Sequence, residues 1–485
     1  MFRLLLYALF VLTCLISTPL MMIGQEKIIT ASEPSLIDMT IYNENISLIR
    51  EERTIDIPKG LSHVIVPEIP ATIDGTSLHF RSLMDPAAVR VLEQNYQYDL
   101  VSREKLLQRY IGKDIQFGNS TGKLLATGPV SFSGSDLGLV AEINGRIELM
   151  PSGQISLPKL PEGLILKPQL DWLVTNTRPG EQKIEISFLA GQLSWNANYV
   201  ALLNKSENSI DLTGWVTLTN RSGTSFHNAG LKVVAGDVNL VRDQFRQGFA
   251  KAAGVVANEA APQFKQTDLF EYKLYTLQRR TDLENNETKQ IELVTGHDVS
   301  AKKTFIYDGL ADQWQYWFNN PSYRTEKGYG QQSNPKVGVY VTFKNDEKSG
   351  LGIPLPKGKI RVYKEDEDGK EQFIGEDEID HTPKDEEVRL YLGNAFDLVG
   401  ERAQTDFHTM ASGHVAEETF TIKVRNHKKE GVDVQIYEHA WRWSEWEITK
   451  SSSDYVKVDQ STIRFPIRIE KDEEKVVTYT IRYSW

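Results

Sequence analysis

The chain has almost no cysteine: among 485 residues only Cys14 is one. Because Cys14 sits in an apolar N-terminal run, the body that follows has neither disulfides nor thiol chemistry, and core burial alone must hold its domains together. A concentrated Lys/Arg cluster is also missing. With 55 basic against 66 acidic residues and a formal charge of -11, a nucleic-acid partner is excluded, since phosphate binding needs a basic surface. The 40% hydrophobic and 25% charged composition is that of a soluble globular body, neither disordered nor membrane-embedded. Catalytic signatures are missing as well. Gly134-Ser135-Asp136-Leu137-Gly138 has the spacing of a nucleophile elbow, but Asp occupies its centre. The run from Gly118 through Gly122-Lys123 is one residue short of a phosphate loop, and Leu124 stands where a magnesium-binding hydroxyl is required. Asp366-Glu367-Asp368-Gly369 would place Lys364 and Gly375 at the first and last ligand positions of a calcium loop. Each of these reads as a turn, and no cofactor is expected.

At the N-terminus, Arg3 precedes an apolar run over residues 4–16, followed by Ser17, Thr18, Pro19 and Gly24. That order is a secretory signal, so residues 1–24 read as a signal peptide or an anchor. Cleavage after Gly24 leaves Met22 at the −3 position; uncut, residues 4–23 are long enough to span a bilayer, although Pro19 would interrupt the span. The body is expected in the periplasm or at the cell surface, touching membrane only through this segment if it is not removed. Thr13 before Cys14 departs from a lipoprotein signal.

What the chain does have is period-two alternation. Residues 337–407 read as a β-meander: Val339, Val341 and Phe343 share a face, Asp368-Gly369 favours a hairpin turn, and Val388, Leu390 and Leu392 close the run. The predicted class is all-β, with several immunoglobulin-like β-sandwich domains, a small barrel-like insertion and one short helix. An N-terminal β domain is expected over 36–163. Within it, a helix at 102–111 starts at the N-cap Ser102, turns Leu106, Leu107, Tyr110 and Ile111 toward the N-terminal sheet, and ends at Gly112. A Gly-rich curled sheet follows at 112–160. Residues 164–412 form a central sandwich region with an exposed linker at 249–266, whose Ala-rich run has no amphipathic period. Residues 413–485 form a C-terminal immunoglobulin-like sandwich. The alternating Val477, Tyr479, Ile481, Tyr483 and Trp485 read as its last strand rather than as part of an outer-membrane barrel, because most strands are short and charged.

One pattern recurs four times: apolar, any, apolar, any, Asn, with Gly soon after. It ends at Asn176, Asn220, Asn345 and Asn426. Each Asn is expected to close a half-buried strand through a left-handed residue or an Asx turn.

Two aromatic clusters are candidate ligand platforms. In one, Trp314, Tyr316 and Phe318 alternate with Trp317, followed by Tyr323; in the other, Trp441, Trp443 and Trp446 interleave with Arg442. Exposed, such rings stack on sugar faces and Arg442 adds a cation–π contact; buried, they are core or inter-domain packing. Asp406, His408 and His414 are the one candidate metal set, with no HExxH helix or cysteine framework beside them.

Long motifs carry a family resemblance. They include Gly352-Ile353-Pro354-Leu355-Pro356-Lys357-Gly358, His381-Thr382-Pro383-Lys384-Asp385-Glu386, Gly393-Asn394-Ala395-Phe396-Asp397, Leu193-Ser194-Trp195-Asn196 and Leu231-Lys232-Val233-Val234-Ala235-Gly236-Asp237. The chain resembles a bacterial family of exported proteins catalogued as a conserved domain of unknown function. That family is distantly related to mucoidy inhibitor A-like proteins, whose long coiled coil this chain lacks. The resemblance implies no catalytic residues. Together these readings anticipate a cell-envelope protein with a non-enzymatic binding or structural role, its partner an envelope protein or glycan. The alternative is an envelope hydrolase acting on glycans or peptides.

Overall fold

The computed structural model describes residues 27–128, 138–236, 263–311, 313–320, 322, 324–328, 333–410 and 413–485. The signal segment, Tyr323, and the expected linker up to residue 262 lie outside them. Alternating burial is realised almost everywhere as strand, and only two short α-helices, Arg103–Arg109 and Gln313–Phe318, occur among the described residues. The protein is all-β.

By its contacts the chain divides into two compact units: Met1–Ser35, Glu51–Ala71 and His79–Ile186 form one; Leu36–Arg50, Thr72–Leu78 and Ser187–Trp485 form the other. The first contains a four-stranded sheet in the order Lys27–Thr30, Gly60–Pro67, Gln169–Asn176, Val89–Gln97. Leu170, Trp172 and Val174 point into its core and are fully buried. A second, five-stranded sheet runs Arg146–Leu149, Leu139–Ile143, Ser120–Thr127, Asp114–Phe117, Ile155–Ser156; its pairing order is open, not closed as a barrel. The supposed phosphate-loop glycine, Gly118, sits at φ 58° in the tight turn joining two of these strands.

The helix Arg103–Arg109 begins where expected, with the Ser102 side chain accepting a hydrogen bond from the Lys105 N–H. Its packing is a correction. Leu107 and Tyr110 join Ile115, Phe117, Leu124 and Ile143 in the core of the small sheet, and Ile111 is exposed. The Tyr110 hydroxyl donates to the Lys159 carbonyl, which ties the helix end to the far side of the same insertion.

In the second unit the strands are longer than their sequence suggests. Glu287–Asp308 spans 22 residues and Glu387–Met410 spans 24. Register shifts interrupt the first strand's pairing with Ser209–Asn220 and, between Gln404 and Asp406, that of the second, and both strands belong to one thirteen-stranded sheet. Glu287–Asp308 pairs first with Ser209–Asn220, then with Lys336–Lys344 and Val432–His439. Residues 413–485 therefore share their core with earlier strands: Phe305, Tyr307, Val337 and Leu398 pack with Phe420, Ile436, Phe465, Val477, Tyr479 and Ile481. The closing strand Glu474–Ser484 lies between Val415–Asn426 and Trp446–Ser451, as a sandwich strand. At the distal end of the expected linker, Phe264–Leu269 is not exposed coil but a strand paired with Tyr272–Leu277, because Phe264 finds a buried position.

The four recurrent asparagines are buried, and none adopts a left-handed conformation. Three form the Asx alternative, each Oδ1 accepting from the N–H two residues on, at Arg178, Ser222 and Lys428; Asn345 Oδ1 accepts instead from Gly352 N–H. Their Nδ2 groups donate to backbone carbonyls beyond the turn each asparagine begins. Asn176 reaches Ile57, Asn220 reaches Leu283 and Glu284, Asn345 reaches Ile353 and Pro383, and Asn426 reaches Ile469 and Glu470. Each is a corner brace satisfying carbonyls that would otherwise be buried without a donor.

Candidate functional site

The two aromatic clusters, far apart in sequence, meet in the second unit. The first is not a strand. Asp308 Oδ1 accepts from the N–H groups of Leu310 and Ala311, a turn that launches the helix Gln313–Phe318. Helical spacing then brings Trp314 and Phe318, four apart, edge to face at 6.4 Å, and leaves Tyr316 exposed. Trp317 turns the other way and packs on Trp441 at 5.3 Å.

Trp314 is held from below. Its ring stacks on His439, with centroids 4.6 Å apart and planes 7° from parallel. His439 Nε2 meets Asp308 Oδ2 at 3.0 Å and Nδ1 meets Thr462 Oγ1 at 3.3 Å. Since a carboxylate can only accept, Nε2 is the donor to Asp308, and the contact of Nδ1 with the threonine hydroxyl fixes the plane of the ring. Asp308 thus both folds the turn before the helix and orients the imidazole on which the helix's first tryptophan rests.

Trp314 and Phe318, with the amides Gln315 and Asn319, form one wall of a groove of about 280 Å³; Ser444, Gln460 and Ser461 form the other. The Gln460 wall is fixed by its carbonyl, which accepts from Trp446 Nε1 at 2.8 Å, and Lys457 lies over the Trp446 ring at 4.5 Å. Asp459, next along, accepts from the Ser461 N–H and hydroxyl. Burial acts to raise its carboxyl, but hydrogen bonds from Ser461 and Thr462 outweigh that and hold it below the usual carboxylate range.

Behind the groove the core carries two ion pairs with no solvent access. Arg402 Nε meets both Glu438 oxygens at 2.9 Å, its guanidinium lies 3.7 Å over the Phe420 ring, and the Tyr479 hydroxyl donates to the same carboxylate. Burial alone would lower the Arg402 pKa, but Glu438 beside it keeps it above its ordinary value. Arg442 Nη2 bonds Glu418 at 2.9 Å, and Gln404 donates to the same oxygen at 2.7 Å. The other Arg442 nitrogen, Nη1, donates to the carbonyls of Arg324 and Glu326. Burial raises the Tyr479 and Tyr483 hydroxyls well above the ordinary tyrosine range, the neighbouring glutamates adding to it.

These placements sort the sequence candidates. Trp441 and Arg442 are core, Arg442 serving as a clamp on the 324–326 segment. Trp443 is half-buried, with the Arg324 guanidinium 3.8 Å over its ring, and Trp446 is half-buried against the same core. Trp314 alone of the named tryptophans lines the groove, and Tyr323 lies outside the described residues. Asp406 and His408 do come together, 3.7 Å apart, and Glu417 sits 3.5 Å from His408, but Arg482 holds Glu417 at 2.8 Å. His414 is at the chain turn beyond, its carbonyl accepting from Trp485 N–H. Among the described residues no group of three or more His, Cys, Asp or Glu is arranged to hold a metal ion.

Sequence reasoning missed Asp308 and His439, which build the site, and the Gln460-Ser461 wall. The signal for Asp308 was local: Asp followed by Gly309 before a short aromatic run is a turn and helix-start composition. For His439 no local signal existed. No protein-family model matches the chain, and no curated protein matches it.

Proposed function

We propose that the chain is an exported, non-enzymatic binding protein of the bacterial cell envelope, a member of the exported family its motifs resemble, and that its ligand sits in the Trp314–Phe318 groove. One observation carries this reading. The side chains facing the groove are rings, amides and hydroxyls, while the ionisable groups around it, Asp308, His439, Asp459, Glu438 and Glu418, are already engaged inside the protein. Hydrolysis needs a nucleophile or an acid and base within reach of substrate. Asp308, His439 and Thr462 have the order of a catalytic triad, yet Thr462 is a buried cross-strand partner of His439 and does not line the groove. The export reading rests on Arg3 and the apolar run over residues 4–16. Among the described residues no helix is long and apolar enough to cross a membrane.

The test has two arms. A C-terminally tagged protein should fractionate with the envelope and be absent from the cytosol. Purified protein should co-sediment with isolated envelopes, and Trp314→Ala should abolish this without changing the melting temperature by more than a few degrees. Retention in the cytosol at full length removes the export reading, and unimpaired co-sedimentation of Trp314→Ala removes the groove.

A further inference from the structure

The groove's composition also restricts what can occupy it. We infer that its ligand is an uncharged pyranose unit of an envelope glycan, stacked on the face of Trp314 turned away from His439. This rests on the binding reading above and adds the ligand class.

Three features lead there. The first is a pre-set aromatic platform. A free surface tryptophan loses rotamer freedom when a ligand stacks on it, whereas Trp314 is already fixed by the parallel His439 ring, itself held by Asp308 and Thr462. The C–H face of a pyranose is the apolar surface that such a ring accepts, and Phe318 extends the platform edge-on.

The second is the polar complement. Sugar hydroxyls donate and accept at once, and so do the amides of Gln315, Asn319 and Gln460 and the hydroxyls of Ser444 and Ser461. A purely apolar ligand would leave four of these groups desolvated and unpaired, the Ser461 hydroxyl alone keeping Asp459 as its acceptor. A charged ligand would lose hydration with no opposite charge in the lining to replace it. Both are therefore disfavoured relative to a neutral polyol.

The third is size. At about 280 Å³ the groove falls just under the roughly 300 Å³ at which pockets for drug-sized ligands begin. It suits one ring of a chain, with neighbouring rings running out over the surface, rather than a buried oligomer.

The experiment titrates the purified full chain with neutral tetrasaccharides of glucose, galactose and N-acetylglucosamine, and with a uronic-acid tetrasaccharide as the charged comparison. Calorimetry and tryptophan fluorescence report binding. At least one neutral tetrasaccharide should bind and perturb tryptophan emission, with the uronic-acid compound at least tenfold weaker. Trp314→Ala should weaken binding at least tenfold, and Trp314→Phe should recover part of it. Gln460→Ala, a substitution at an exposed side chain, should weaken binding several-fold at unchanged melting temperature, so that a folding defect in the tryptophan variant cannot decide the outcome. The inference is overturned if no neutral tetrasaccharide binds, if the uronic-acid compound binds as well, or if both Trp314→Ala and Gln460→Ala bind as the parent does. Should all neutral sugars fail while Trp314→Ala still abolishes envelope co-sedimentation, the ligand class is wrong and the binding reading stands. Loss of both results removes both.

Discussion

Asn220 and Asn426 make the same set of bonds in two places. Each Oδ1 accepts from the N–H two residues on, and each Nδ2 donates to the carbonyl four residues on, Thr224 or Glu430, and to a consecutive pair across the sheet, Leu283 and Glu284 or Ile469 and Glu470. The turns they brace match too: Glu287 accepts from Glu284 N–H as Glu473 accepts from Glu470 N–H, with Asn286 and Asp472 at φ 62° and 55° between them. The second unit thus contains one sandwich corner twice, and only the second copy carries the groove.

Replacing either asparagine should therefore be costly in the same way. Asn220→Ala and Asn426→Ala each leave buried carbonyls without a donor, a loss of about 1–3 kcal/mol apiece. The Asp variants should be no better, because a carboxylate cannot donate and its charge would be buried. Urea unfolding at neutral pH reads this as a lowered midpoint with unchanged slope; a midpoint shift near zero for both would refute the brace.

The ion pairs behind the groove predict non-additivity. Arg442→Met or Glu418→Gln alone strands the partner in the core and should destabilise by about 3–5 kcal/mol, whereas the double substitution should cost much less than the sum. The same pattern is expected for Arg402 and Glu438, with Tyr479 sharing in the second pair. Double-mutant cycles by chemical denaturation check it, and additive single effects would mean that the pairs are not coupled.

Alkaline stability should fall steeply. Burial raises the hydroxyls of Tyr199, Tyr479 and Tyr483 well above their value in the unfolded chain, and the Tyr199 hydroxyl is further held by the Pro356 carbonyl. A folded pKa raised above the unfolded one gives stability that is complete below the unfolded value and lost as pH rises beyond it. The loss should begin above about pH 10, the ordinary tyrosine value. Absorbance titration should show one class of tyrosines ionising near pH 10 and a second appearing only with unfolding. A single smooth wave below the unfolding pH would contradict this.

Trp443 separates packing from ligand contact. Half-buried against the C-terminal core and covered by Arg324, it should, on change to Ala, lower stability toward the lower end of the about 3–5 kcal/mol typical of core tryptophans. Affinity for any ligand of the groove should hold, since Trp443 does not line it. An unchanged melting temperature with lost binding would move the site to this ring.

Each structural feature is legible in the sequence only as far as its signal reaches along the chain. The all-β class, the start of the helix after Ser102 and the asparagines that close strands are legible from local residues, because side-chain alternation and capping are written within a few positions. The sequence also marked the aromatic segments, though not their conformation: over six residues, period two and a single helical turn both fit the run from Trp314 to Phe318. Long-range folding sets the rest: Trp314 rests on His439, Asp308 holds that histidine from 131 residues away, and Arg442 is a core clamp rather than an exposed cation. Those facts depend on which strands pair across the whole chain, and a pairing between distant strands leaves no pattern in either strand alone.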